Sequence, residues 1–304
     1  MRLDDLDPSK NVRDQGRGGG GRGFGGGGGG GLGLLLSFLP MLLGRKMGCG
    51  SILLIGGAAL AFMYFSGGGL QLADDTGAGG FQPKSSAANV ACDTQEELFA
   101  CQVLASTEQT WQKLFRQQGE TYRPPTLTFY DQSGQSGCGA AQAAMGPFYC
   151  PADQGIYLDT SFFREMSTRM GAKGDFAQAY VIAHEVGHHI QNLSGVAKQV
   201  REAQARASKA EGNALQVRME LQADCYAGVW AAQNADRLEP GDVEEGLTAA
   251  HAIGDDTLMR GAGRTPVESM FTHGSSEQRM AWLRKGLQTG DPAACNTFAA
   301  GAVR

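Results

Sequence analysis

Five residues, His184-Glu185-Val186-Gly187-His188, constrain this 304-residue chain more than any other stretch. They lie among apolar residues, Ile182, Val186, Ile190 and Leu193, that recur at helical spacing. On a helix, histidines at i and i+4 project from one face, one turn apart, so their imidazoles can share a single metal ion. A glutamate beside the first histidine then sits next to the metal, where it can take a proton from a water held there. The spacing predicts a helix over Asp175–Leu193, ended by Gly195.

A catalytic zinc takes three protein ligands and keeps a fourth position open. A third histidine six residues after the second, with a glycine between, is ruled out, because Ser194 and Gln191 stand at those places. Downstream, Met219-Glu220-Leu221-Gln222-Ala223-Asp224 puts Glu220 and Asp224 one helical turn apart. Glu220 can complete a His-His-Glu set around Zn²⁺. Asp224 can accept the N–H of a ligating histidine and fix its tautomer. Alone, two such acids read as a solvated helix face. Beside H-E-x-x-H, and flanked by Leu221, Ala223, Cys225 and Tyr226, they read as part of a zinc site.

The combination resembles the gluzincin metallopeptidases, and more closely the bacterial family of membrane-anchored neutral zinc metallopeptidases. The segments that carry the likeness, besides the metal motifs, are Asn11-Val12-Arg13-Asp14, Gly137-Cys138-Gly139, Gly146-Pro147-Phe148-Tyr149-Cys150-Pro151, Ile156-Tyr157-Leu158-Asp159, Ile253-Gly254-Asp255-Asp256 and Thr272-His273-Gly274. The resemblance implies a zinc-dependent endopeptidase acting on peptide or protein substrates, with Glu185 as general base. It also makes His273 the candidate donor to the oxyanion, since related zincins supply a histidine near the metal from such a position. Tyr157 is a second candidate: an edge strand commonly lines the zincin cleft and pairs with extended substrate. The same tyrosine also reads as a core aromatic. A different class, a non-catalytic zinc-stabilised peptide-binding or scaffold protein of the cell envelope, stays open as the alternative. His189 points about 100° away from His188 and should miss the metal. Arg279 reads as a surface salt bridge, and Asp255-Asp256 as a turn or cap.

The first quarter is not globular in composition. Glycine dominates 16–33, a linker pattern. Residues 47–66 are uncharged and long enough to cross a bilayer as one helix, whereas the apolar segment 32–43 is too short to span. Arg2, Lys10, Arg13, Arg17, Arg22, Arg45 and Lys46 precede the span, and Asp74 and Asp75 follow it. The positive-inside rule therefore predicts a single-pass protein with a cytoplasmic tail over 1–46 and a linker over 67–89. The domain over 90–304 is then placed in the periplasm or outside the cell.

The net charge is −5, with +3 on the first 46 residues, leaving −8 for the exported part. That argues against nucleic acid as a partner. Six cysteines lie in the exported part, where disulfides can form. Fifteen pairings are possible. Loop proximity suggests Cys92–Cys101 and Cys138–Cys150, leaving Cys225–Cys295.

In the domain, a helix is expected over 94–118 with a Thr94/Glu97 capping box, and a strand over 126–130. Short strands are expected at 148–150 and 156–158. Further helices are expected at 196–211, 213–233, 242–259 and 276–287, the last capped by Ser275 and Gln278. The fold class is α+β and zincin-like: a small β-sheet beside a mostly helical body, preceded by one N-terminal transmembrane helix.

Overall fold

The first long helix among the described residues closes at Gln118, with Gly119 at φ 76°, and after Pro124-Pro125 the β-branched and aromatic run becomes the centre of the sheet. The computed structural model describes residues 1–17 and 91–303. Strand β1 (Val12–Arg17) pairs in parallel with β2 (Thr126–Asp131), Val12 lying opposite Leu127. A hairpin of β3 (Ser133–Ser136) and β4 (Gly139–Gln142) continues from β2. On its other side β2 pairs in parallel with β6 (Gly155–Leu158), and β6 pairs antiparallel with β5 (Phe148–Cys150), which ends the sheet. Side chains alternate across the pleat. Leu127 and Phe129 enter the main core, while Tyr130 joins Ala141, Cys150 and Tyr157 in a small cluster of its own.

The helical body comprises α1 (Gln95–Gln117), α2 (Ser161–Arg169), α3 (Asp175–Leu193), α4 (Val196–Gln204), α5 (Lys209–Gln233), α6 (Asp242–Ala252), α7 (Asp255–Gly261) and α8 (Ser276–Thr289). Helix α3 packs against α1, α5 and α6, and α8 packs along α5. Two glycines let these axes approach. A Cβ on Gly187 of α3 would come 2.9 Å from the Ala223 Cα of α5, and one on Gly286 of α8 would come 2.0 Å from the Cys225 carbonyl oxygen. Close helix crossings of this kind tolerate no side chain at the contact.

The α+β architecture agrees with the sequence reading, and the zinc-motif helix has the expected bounds. Several elements differ. Helix α4 stops at Gln204 because Ser208 and Glu211 form a capping box that starts α5 at Lys209. The helix expected over 242–259 breaks into α6 and α7 at Gly254, where a Cβ would meet the Ser276 backbone nitrogen at 2.4 Å. Residues 133–142, for which no strand is expected, form a hairpin. Residues 1–17, assigned to a tail apart from the domain, belong to the same compact unit as 91–303. The three disulfides are Cys92–Cys101, Cys138–Cys150 and Cys225–Cys295. The predicted span at 47–66, the short apolar segment 32–43 and the linker 67–89 lie outside the described residues. Among the described residues no helix is long and apolar enough to cross a membrane.

Candidate metal centre

Helix α3 projects His184 and His188 from one face, their ring centroids 4.7 Å apart and nearly perpendicular. Helix α5 crosses this face at Gly187 and delivers Glu220. One carboxylate oxygen of Glu220 accepts from Gln216 Nε2 at 2.9 Å. The other lies 3.2 Å from His184 Nε2 and 3.5 Å from His188 Nε2. With zinc–ligand bonds of about 2.1 Å, tetrahedral ligands sit roughly 3.4 Å apart, so these two separations fit one zinc ion. All three ligand atoms lie within 4.8 Å of one another.

The outer nitrogens of both imidazoles are held by acceptors. His184 Nδ1 donates to Asp224 Oδ1 at 2.8 Å. His188 Nδ1 donates to Gln191 Oε1 at 2.9 Å. The Gln191 amide cannot flip, because its Nε2 donates to the Met219 carbonyl at 2.6 Å and to Gln222 Oε1 at 3.1 Å. Each Nδ1 therefore carries the proton, and each Nε2 presents its lone pair to the metal position.

The electrostatics suit a cation. Burial opposes charge on Glu220, but His188 and then His184 hold its carboxyl well below the usual range. Burial opposes charge on His184 too, and the Asp224 carboxylate overrides it, raising the imidazole to about 9. His188 is raised by Glu220 against the same burial. Glu185 is raised, first by burial, with the two histidines pulling the other way.

Arg279 is not the surface salt bridge expected. It is 2% exposed and bonds Asp224 through Nε at 3.0 Å and Nη2 at 2.9 Å. Tyr180 donates its hydroxyl to the same carboxylate at 2.6 Å. Burial opposes the Asp224 charge, but Arg279 and His184 bring its carboxyl down to about 2. Sequence reading missed Gln191 and Tyr180. Both lie one turn or so from a metal ligand on α3, the only signal available for them.

A cleft of about 630 Å³ opens over the site, lined by His184, Glu185, His188, Glu220, His273 and Arg279. Its walls are largely apolar and include Phe148, Phe162, Val181, Met219 and Leu258. His273 is brought to the cleft by Asp255, whose Oδ2 accepts the backbone N–H groups of Thr272, His273 and Gly274 at 2.6 to 3.0 Å. Its Oδ1 lies 3.2 Å from His273 Nδ1. Asp256 caps α8 by accepting from the Ser276 backbone N–H at 2.7 Å. Of the turn or cap expected, Asp255-Asp256 supplies the cap: the two residues open α7, and Asp255 has a second task at the 272–274 loop.

Tyr157 is placed elsewhere. It lies on β6, an interior strand, is 5% exposed, stacks on Phe148 and donates its hydroxyl to Asp153 at 2.6 Å. It does not line the cleft. Strand β5 is the edge instead, and its Phe148 and Tyr149 both contribute to the lining of the cleft. His189, as expected, turns from the metal: Nε2 donates to the Arg123 carbonyl at 2.6 Å, and Nδ1 accepts from Tyr149 Oη at 3.0 Å.

An H-E-x-x-H helix crossed by a glutamate-bearing helix, under an apolar cleft at a sheet edge, defines a zincin-type metal protein. The chain belongs to the family described as "Putative neutral zinc metallopeptidase", which it matches over residues 1–298. Its cofactor is Zn²⁺. It is similar to the uncharacterized protein YpfJ of Escherichia coli strain K12, at 54% identity over 202 residues, covering 66% of this chain and 70% of that protein. It is also similar to the uncharacterized protein Rv2575 of Mycobacterium tuberculosis strain H37Rv, at 45% over 217 residues, covering 66% and 71%. No solved structure matches the chain.

Proposed function

We propose that this protein is a membrane-attached endopeptidase that hydrolyses peptide bonds outside the cytoplasm. The observation that carries the reading is the placement of Glu185, buried beside the converging His184, His188 and Glu220 and facing an open cleft. When bound, zinc supplies a Lewis acid that polarises a carbonyl and makes water more acidic. Glu185, its carboxylate made more basic by burial, takes the proton of the attacking water and passes it to the leaving amine.

His273 supplies the oxyanion donor. Its Nδ1 faces the Asp255 carboxylate and carries a proton, so its Nε2 donates only when the ring is charged. The Asp255 bond favours that charged form. The edge strand β5 offers backbone groups to an extended chain, and the apolar walls take its side chains. Three disulfides support an oxidising compartment for the domain, and the uncharged stretch 47–66 supports attachment to a bilayer.

The test is Glu185→Gln beside Glu220→Ala, with zinc content and peptide cleavage read on the same preparations. Glu185→Gln is expected to keep its zinc and lose about 10²–10⁴-fold in turnover. Glu220→Ala is expected to lose zinc. Peptide binding without turnover by both wild type and Glu185→Gln would instead favour a scaffold role.

A further inference from the structure

The residues on either side of 18–90 lie at one place on the folded domain. Before that stretch, β1 is hydrogen-bonded into the sheet, with Asp14 opposite Phe129. Ahead of β1, Leu3 is buried in the core, the Arg2 N–H donates to the Arg237 carbonyl at 2.8 Å, and the Ser9 N–H donates to the Cys101 carbonyl at 3.1 Å. The side chains of Ser9 and Asn11 both donate to Glu108 of α1, at 2.7 and 2.9 Å. After it, Cys92 is bonded to Cys101 of the same helix. The two ends are neighbours: Asp14 and Gly16 line one crevice with Asp93 and Thr94.

A strand in a sheet cannot be divided from its partner by a bilayer. A single crossing puts the flanking residues on opposite faces of a hydrocarbon layer about 30 Å thick. Satisfying it here would strip β1 from β2 and expose their backbone groups together with buried Leu3. Of the basic residues that favoured a cytoplasmic N-terminus, Arg45 and Lys46 border the uncharged stretch, but two others do not report on a flank. Arg2 and Arg13 belong to the domain, and the Arg2 guanidinium donates to the Asp236 carbonyl at 2.7 Å. Orientation rules weigh charges in the loops that border a span.

We propose that residues 1–17 and 91–303 lie on the same side of the membrane, an arrangement that a single crossing between them does not allow. The proposal rests on the membrane reading of 47–66 for the bilayer, and on the β1–β2 pairing alone for the sidedness.

The test uses the unmodified full-length chain in intact cells. A membrane-impermeant amine reagent is applied before and after the membrane is opened, and modification of Lys10 and Lys198, both exposed, is read by mass spectrometry. The expected result is that the two lysines react together, both before opening or both only after it. Lys198 reacting in intact cells while Lys10 waits for opening would overturn the proposal. Recovery of the chain in the soluble fraction of broken cells would also overturn it, because without a bilayer there are no sides for the two segments to share. Neither readout depends on peptidase activity.

Discussion

Arg279 grips the Asp224 carboxylate with two nitrogens, at 3.0 and 2.9 Å, while that carboxylate accepts from His184 Nδ1 at 2.8 Å. All three groups are buried. The arginine therefore acts on the metal through two intermediaries: it keeps Asp224 ionised and fixed, and Asp224 fixes the ring of His184. Arg279→Met would leave a buried carboxylate without its counter-charge. The expected loss in zinc affinity is about 10–100-fold, typical for partners of ligating histidines. Arg279→Lys should recover only part of it, because an ammonium cannot reproduce the two-nitrogen fork. Competition with a zinc chelator measures both variants, and unchanged affinity in Arg279→Met would remove the arginine from the site.

Gly187 sits inside the metal motif at a position where the pattern itself permits any residue. Its reason is packing: an added Cβ would lie 2.9 Å from the Ala223 backbone, so α3 and α5 would have to separate. Gly187→Ala is expected to destabilise the protein by about 1–3 kcal/mol, as overpacking of a core does. It should also weaken zinc binding, since Glu220 rides on α5. Gly212→Ala, on the same helix α5 with nothing within 4 Å of the added carbon, is the control and should be neutral or mildly stabilising. Thermal unfolding with and without zinc separates the two effects.

The metal trio was legible because its logic is local. His184 and His188 are one turn apart, Glu220 and Asp224 likewise, and helix geometry turns those spacings into shared faces. The caps at Ser275 and Ser208 are local too, and the second ends at Gln204 the helix expected over 196–211. What stayed hidden depends on partners far along the chain. Strand β1 pairs with β2 more than a hundred positions away, and the glycine-rich stretch after it masks its character. Arg279 looks like any exposed helical arginine until α8 is laid against α5. Tyr157 has the composition of a strand residue, but nothing in its own neighbourhood says that β5 takes the edge and leaves β6 inside.

Cys225 follows Asp224 directly on α5, and its bridge to Cys295 holds the C-terminal segment against the back of the metal helix. Gln222 donates to the Cys295 carbonyl at 3.0 Å, and Thr297 donates to the Arg218 carbonyl at 2.7 Å, so the contact is continuous. Cys295→Ser is expected to cost about 2–5 kcal/mol. The bridge closes a sequence separation of 70, against 9 for Cys92–Cys101. On loop entropy, the longer bridge should therefore be worth about 2 kcal/mol more than the shorter. Denaturant unfolding of the two single-bridge variants gives the comparison, and an equal or reversed order would contradict it.

The Asp255–His273 pair makes a statement about pH. The Asp255 bond raises His273 above its ordinary 6.5 against the opposing effect of burial. Asp255 lies below its ordinary 3.8, because the His273 ring and the three backbone N–H groups outweigh burial. The histidine's contribution to stability is full below 6.5 and is lost as pH rises through its raised value. The aspartate's contribution is present above 3.8 and is lost as pH falls through its lowered value. The pair thus stabilises the 272–274 loop across the window between those limits. Activity should share the upper limit, since His273 Nε2 donates only from the charged ring. Asp255→Asn removes the charge that raises the ring, so the alkaline limb of kcat/KM should move to lower pH while zinc content stays unchanged. An alkaline limb that does not move would mean that His273 donates nothing to the reaction and that Asp255 only shapes the loop.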